Sequence, residues 1–171
     1  MRAKERLGTF KRDHDRADVR FERTYPRSLD TVWRALTDPA RLADWMGPAH
    51  IEPHVGGLFQ AMVDSPYPAT GRISVWDPPH VFEYSFSNTH APDSVVRFEL
   101  EPFESGTRLI LTHRGVPYLN SALMLPGWHT YLSKLSTLLD PSAQTARPND
   151  WRRMQSVYVD HYKLDGLALD P

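Results

Sequence analysis

A change in the spacing of apolar residues divides the chain and limits the folds that it can adopt. From about residue 48 to residue 114 apolar residues recur at every second position, with turn residues at regular intervals, which predicts β-strands. From Ala122 to Leu139 they recur at helical spacing and form a broad stripe. Short loops between the strands indicate antiparallel neighbours. The pattern therefore predicts an antiparallel sheet whose buried face is covered by one long helix.

Further elements are predicted before this region. Val19 to Tyr25 alternates and is ended by Pro26, which indicates a first strand. Two short helices follow it, the first capped by Ser28 and the second ending at Gly47-Pro48. The five later strands are predicted over 58–64, 70–76, 80–87, 95–103 and 107–113. The predicted fold class is α+β, with a curved antiparallel six-stranded sheet around a long C-terminal helix and two short helices after strand 1.

Length and charge restrict the domain organisation and the partners. The chain has 171 residues, a net charge of -1 and no apolar run long enough for a membrane span. We expect one domain over 18–140, a flexible basic N-terminal arm over 1–17, and a C-terminal extension over 141–171 with a short docked helix at about 150–163. Neither nucleic acid nor a membrane is an expected partner, and a cytoplasmic location is expected.

Several sequence strings resemble one known family in their order along the chain. The match spans roughly residues 19 to 139, and the strings are TYPRSLDTVWRALTDPARLADWMGP, GGLFQAM, GRISVWDPPHVFEYSF, GTRLILTHRGV and PGWHTYLSKL. Together they resemble the START-like, or SRPBCC, superfamily and within it the bacterial single-domain proteins related to the activator of a heat-shock-protein ATPase. The resemblance implies the helix-grip fold, in which a curved sheet wraps the C-terminal helix.

The resemblance also implies a cavity between sheet and helix, which the superfamily uses for lipids, polyketides, hormones and aromatic compounds. We therefore expect a protein that binds a small apolar, aromatic or lipid-like ligand. Two alternatives stay open: an enzyme of the polyketide cyclase or hydratase kind that uses the same cavity, and an interaction module for a heat-shock ATPase. The sequence assigns no reaction, so binding is favoured over catalysis.

The residues expected to line the cavity are large side chains that the strands and helices turn inward. The apolar ones are Trp45, Phe59, Val63, Ile73, Phe86, Phe98, Leu111, Met124 and Trp128. Tyr84 and Tyr131 are expected to face inward as well and to offer hydroxyl groups to the ligand. Taken singly, each of these residues is more typical of a packed core, and the prediction of a cavity rests on how many large side chains face the helix.

Two polar residues share the inward side of their strands. His113 follows Leu109 and Leu111 in the alternation, so it is a candidate ligand contact and the candidate catalytic base. The alternative is a hydrogen-bonded structural histidine at the end of the strand. Arg23 is the charged member of the inward set on the first strand, and a buried guanidinium needs a carboxylate or a ligand anion. The alternative is that Arg23 lies at the end of the strand and reaches solvent.

No metal and no cofactor is expected. His50, Glu52 and His54 would lie on one side of an extended segment, but Pro53 excludes a helical HExxH motif, and a hydrated loop is the simpler interpretation. The chain has no cysteine for thiolate chemistry, no nucleophile elbow and no Gly-rich phosphate loop. A homodimer formed through a sheet edge or the tail helix is compatible with the sequence.

Overall fold

The computed structural model describes residues 6–62, 68–142 and 150–164. These residues form one eight-stranded antiparallel sheet and four α-helices. The strands are β1 (Thr9–Asp13), β2 (Arg16–Tyr25), β3 (Ala49–Ile51), β4 (Leu58–Ala61), β5 (Ala69–Asp77), β6 (Val81–Phe86), β7 (Ser94–Phe103) and β8 (Gly106–Pro117). The helices are α1 (Leu29–Thr37), α2 (Pro39–Trp45), α3 (Ser121–Leu139) and α4 (Trp151–Tyr162).

The sheet has the strand order β1-β2-β8-β7-β6-β5-β4-β3. The predicted α+β class and the long C-terminal helix against the sheet are confirmed, but the sheet has two strands more than the predicted six. One of the two is β3, which pairs with β4 through Ile51 and Phe59. Three residues are too few to show an alternation in the sequence, and for that reason β3 was expected to be loop.

The other additional strand, β1, corrects the prediction of a flexible arm. Residues 9–13 pair with β2, from Thr9 opposite Arg20 to Asp13 opposite Arg16. The segment is also bonded to α4, because the Gly8 N–H donates to the Tyr158 hydroxyl at 2.7 Å and the Tyr162 hydroxyl donates to the Gly8 carbonyl at 2.8 Å. Part of the segment predicted to be flexible is therefore an edge strand held by contacts distant in sequence.

Helix ends in the region before β3 follow the expected capping chemistry. Ser28 Oγ accepts the Thr31 N–H at 3.3 Å at the start of α1. Asp38 accepts the Ala40 N–H at 3.0 Å at the start of α2, where Pro39 occupies a position that needs no donor. These caps fix α1 and α2 across one end of the sheet, and α2 in turn contacts α3. None of the described helices is both long and apolar enough to cross a membrane.

Replacing Tyr158 by phenylalanine should lower the free energy of unfolding by about 1 to 3 kcal/mol. Tyr158 is fully buried, and its hydroxyl is the acceptor for Gly8 and the partner of His129 Nδ1 at 2.9 Å. The variant would leave the Gly8 N–H without that acceptor inside the protein. Urea unfolding measures the change. Tyr162→Phe is the control, because it removes the other hydroxyl that bonds Gly8, and Tyr162 is only half-buried. If Tyr162→Phe lowers the free energy of unfolding as much as Tyr158→Phe does, the account is contradicted.

Candidate functional site

The inward face of the sheet carries a continuous set of aromatic rings that α3 covers. Phe59 of β4 stacks on Tyr84 of β6 with ring centroids 3.8 Å apart. Phe98 of β7 meets Trp128 of α3 edge-on at 6.1 Å, and Trp128 meets Tyr131 at 6.2 Å. Alternation within each strand brings these rings to one side, and the register then places them in adjacent rows. The structure thus brings the predicted aromatic residues together between sheet and helix.

Most of the remaining predicted lining residues belong to the same buried layer. Ile73 lies opposite Tyr84 in the ladder, and Leu111 lies opposite Phe98. Phe86 packs edge-on against His113 at 4.9 Å, while Met124 of α3 is half-buried against the core. Val63 lies outside the described residues.

Trp45 has a different position from the other predicted residues. It is buried at the end of α2, and its indole N–H donates to the Ala35 carbonyl at 2.9 Å. This bond fixes the ring between α2 and the core, so one side of Trp45 belongs to the interior. The same residue also lines an open cleft at the surface.

That cleft has a volume of about 360 Å³ and lies where α2, the end of β4 and α3 meet. Besides Trp45 it is lined by Ala43, Asp44, Met46, Gly47, Pro48, Met62 and Lys134. Sequence reasoning did not identify these seven residues as site residues. The sequence feature that could have indicated the cleft was Lys134, a cation on a largely apolar helix. Its ammonium group lies 5.5 Å from the centre of the Tyr131 ring. Among the predicted lining residues that the structure describes, Trp45 is the member that reaches the cleft.

Tyr84 is the polar member of the aromatic set without a hydrogen bond. Its side chain is buried, with 1% of its surface exposed, and no described residue donates to or accepts from its hydroxyl. Burial raises the pKa of Tyr84 well above its usual value of 10, so the phenol keeps its proton. A buried hydroxyl normally has a partner. Tyr84 therefore offers one donor and two acceptor positions inside an otherwise apolar layer.

His113 is fully buried, and both of its ring nitrogens are hydrogen-bonded. Nδ1 accepts the Trp128 indole N–H at 3.0 Å, so the proton of the neutral ring lies on Nε2, which donates to Ser94 Oγ at 2.8 Å. Ser94 Oγ lies 2.9 Å from the carbonyl oxygens of both Phe86 and Ala91. Burial lowers the pKa of His113 to about 3. This arrangement ties β8 to α3 and leaves His113 without a free nitrogen for a ligand or a proton transfer.

The segment with His50, Glu52 and His54 lies at the surface. His50 Nε2 is 4.0 Å from Glu52 Oε1, and the other Glu52 oxygen accepts the Leu58 N–H at 2.7 Å. That backbone bond, with a smaller contribution from His50 and His54, holds the pKa of Glu52 below its usual value. Within residues 6–62, 68–142 and 150–164, no cluster of three or more His, Asp or Glu side chains is placed to hold a metal ion.

Comparison with known proteins is consistent with this architecture. A family model described as Activator of Hsp90 ATPase homolog 1-like protein matches residues 26–140. Among solved structures, CalU16 from Micromonospora echinospora is 23% identical over 93% of this chain and 95% of its own, with a TM-score of 0.72. MLL2253 from Mesorhizobium loti is 26% identical over 74% of this chain and 98% of its own, with a TM-score of 0.66.

A third solved structure, EF2215 from Enterococcus faecalis, is a conserved protein of unknown function. It is 21% identical over 95% of this chain and 92% of its own, and the TM-score is 0.74. No curated protein matches this chain. The likenesses to CalU16 and EF2215 cover 93% and 95% of this chain, and the family model covers more than half of the sequence. The chain therefore belongs to the family of Activator of Hsp90 ATPase homolog 1-like proteins.

Proposed function

We propose that this protein binds a small apolar or aromatic molecule that carries a hydrogen-bonding group, in the layer between the sheet and α3. The observation that supports this most strongly is the position of Tyr84, whose side chain has 1% of its surface exposed and stacks on Phe59, and whose hydroxyl makes no hydrogen bond to a described residue. A ligand with a hydroxyl or carbonyl group would supply the missing partner. Phe59, Phe98 and Trp128 would provide the apolar contacts.

The cleft beside α2 is the proposed entrance to this layer. Trp45 has one side in the cleft and belongs to the apolar core. On the opposite wall Lys134 lies over the Tyr131 ring, and Tyr131 contacts Trp128. A ligand that enters here meets a continuous series of aromatic rings leading toward Tyr84. Side-chain rearrangement at Trp45 and Tyr131 would open the path.

The geometry favours binding over catalysis in this layer. The candidate base, His113, has both ring nitrogens in hydrogen bonds, and burial keeps the ring neutral. Tyr84 keeps its proton at all ordinary pH values because burial raises its pKa. Neither residue is arranged to accept a proton from a substrate. Both properties suit a site that holds a molecule without changing it.

Tyr84→Phe should raise the stability of the ligand-free protein and weaken ligand binding. Removing a hydroxyl that has no hydrogen bond within the described residues relieves its partial desolvation cost, up to about 1 kcal/mol, and a gain in stability with a loss of function is characteristic of binding sites. The probes are 2-naphthol and naphthalene, which differ by one hydroxyl. We expect the wild type to bind 2-naphthol about tenfold more tightly than naphthalene, and Tyr84→Phe to bind both equally.

Titration calorimetry and thermal unfolding give the two readouts. Tyr118→Phe is the matched control, because Tyr118 lies outside the aromatic layer, where Arg12 covers its ring at 3.8 Å, and it should behave as the wild type. Native mass spectrometry of protein purified without denaturant tests for a resident ligand. If no small molecule is retained, and neither probe binds or raises the melting temperature, the proposed function is wrong.

A further inference from the structure

Arg23 is the charged side chain on the inward face of β2. Buried and exposed residues alternate along this strand, and Val19, Phe21, Arg23 and Tyr25 are all buried. Arg23 has 7% of its surface exposed, and its cross-strand neighbour on β8 is Leu109. Its guanidinium carbon lies 5.5 Å from the centre of the Phe21 ring. A permanent positive charge is therefore enclosed by apolar side chains.

The hydrogen bonds of Arg23 leave one edge of the guanidinium unused. Nη1 donates to the Glu22 carbonyl at 2.9 Å. Nε and Nη2 are buried and have no acceptor among the described residues, and no carboxylate in that part of the chain lies within ion-pair distance. The N–H groups of Nε and Nη2 lie parallel to each other on one edge of the planar guanidinium group. That edge is the one that binds the two oxygens of a carboxylate.

Arginines on the outer face of the sheet show a different arrangement. Arg97 and Arg114 are both more exposed than Arg23, and each lies 3.0 Å from the Glu83 carboxylate. Solvent would stabilise these two arginines even without a partner, whereas it cannot stabilise Arg23. The fold thus places a carboxylate beside these two exposed arginines and, within the described residues, no anion beside Arg23. A buried cation in this state is unfavourable unless a bound molecule supplies the anion.

We propose that Arg23 binds the carboxylate of the ligand, so that the molecule held between sheet and α3 is an amphipathic organic acid. This inference rests on the proposed function and specifies its ligand class. The ladders place Tyr84 of β6 in register with Val19 of β2, four residues before Arg23. Arg23 and Tyr84 are therefore separated by three strand spacings across the sheet and about 13 Å along the strands, roughly 20 Å in all. The carboxylate of this acid pairs with Nε and Nη2 of Arg23, and its apolar body lies along the aromatic layer in the direction of Tyr84.

Dodecanoate below its critical micelle concentration and dodecanol below its solubility limit, both at pH 7.5, test the inference by titration calorimetry. They share an apolar chain and differ in the charged group. The wild type should bind dodecanoate at least tenfold more tightly than dodecanol. Arg23→Gln should bind the two equally, with dodecanol affinity unchanged. Arg20→Gln is the matched control, because Arg20 lies on the outer face of the same strand, 3.1 Å from Glu22, and should behave as the wild type.

The outcomes separate this inference from the proposed function. If the wild type binds both molecules with equal affinity, Arg23 has another partner and the inference is overturned, while the proposed function stands. If the wild type binds neither molecule and none of the neutral aromatic probes, the proposed function fails as well. The wild-type comparison needs no variant, so it decides the inference even if Arg23→Gln does not fold. A preference for dodecanoate that persists in Arg23→Gln also overturns it.

Discussion

Replacing His113 by alanine is expected to lower the free energy of unfolding by about 3 to 5 kcal/mol, the largest effect of any single substitution proposed for this protein. The variant leaves a cavity in a fully buried position and removes the acceptor of the Trp128 indole N–H. It also removes the donor to Ser94 Oγ. The bond between β8 and α3 would then be lost where the sheet contacts the helix.

Urea unfolding followed by tryptophan fluorescence measures this effect. His80→Ala is the control, because His80 is exposed in the turn immediately before β6 and its loss should change the stability by less than about 0.5 kcal/mol. If His113→Ala lowers the free energy of unfolding by no more than His80→Ala does, the hydrogen bonds of His113 to Ser94 and Trp128 do not stabilise the fold. The interpretation of His113 as a structural residue is then wrong.

Acid should destabilise the protein well above the pH at which carboxylates titrate. Burial lowers the pKa of His113 to about 3 in the folded state, whereas an unfolded histidine has a pKa of about 6.5. Between these values the unfolded state binds one more proton than the folded state, so stability falls as the pH falls. From pH 7.5 to pH 5 the loss attributable to His113 is about 2 kcal/mol.

His113→Gln isolates this contribution. A glutamine amide can accept from Trp128 and donate to Ser94, but it does not titrate. The free energy of unfolding of the variant should therefore change by about 2 kcal/mol less than that of the wild type between pH 7.5 and pH 5. Equal changes in the two proteins would mean that His113 is not held neutral by the fold.

Glu83 adds an acid-sensitive contribution at lower pH. Burial raises the pKa of Glu83, but hydrogen bonds from Ser74 and Arg97 and the charge of Arg114 lower it by more, so that it lies below the usual 4.5. A carboxyl group with a lowered pKa stabilises the folded state above the unfolded value, and this stabilisation is lost as the pH falls through the folded value. This loss begins only near pH 4.5, so between about pH 6.5 and pH 4.5 the change in stability comes from His113 without Glu83, and at lower pH the two contributions overlap.

The elements that the sequence predicted well are those whose signal is local. The alternation of β6, β7 and β8 and the helical stripe of α3 arise from the residues themselves, and the structure has these elements within a few residues of the predicted bounds. The inward direction of Tyr84 and His113 followed from the same alternation. A period of two assigns each residue to a face once the strand is identified.

The elements that the sequence missed depend on distant residues. β1 has little apolar alternation, and Gly8 beside it is bonded to Tyr158 of α4, 150 positions away in the sequence. Such a contact leaves no local pattern. The role of His113 shows the same limit at the site: its inward direction was predictable, but its bonds to Ser94 and Trp128 depend on the register of β7 and β8 and on how α3 lies across them.

A crystal structure of the protein with 2-naphthol tests the central claim most directly. The account predicts the naphthol ring between the sheet and α3, beside Phe59 and Trp128, with its hydroxyl within hydrogen-bonding distance of the Tyr84 hydroxyl. A closed aromatic layer that excludes 2-naphthol even at saturating concentration, with the Tyr84 hydroxyl bonded to another group of the chain, would contradict it.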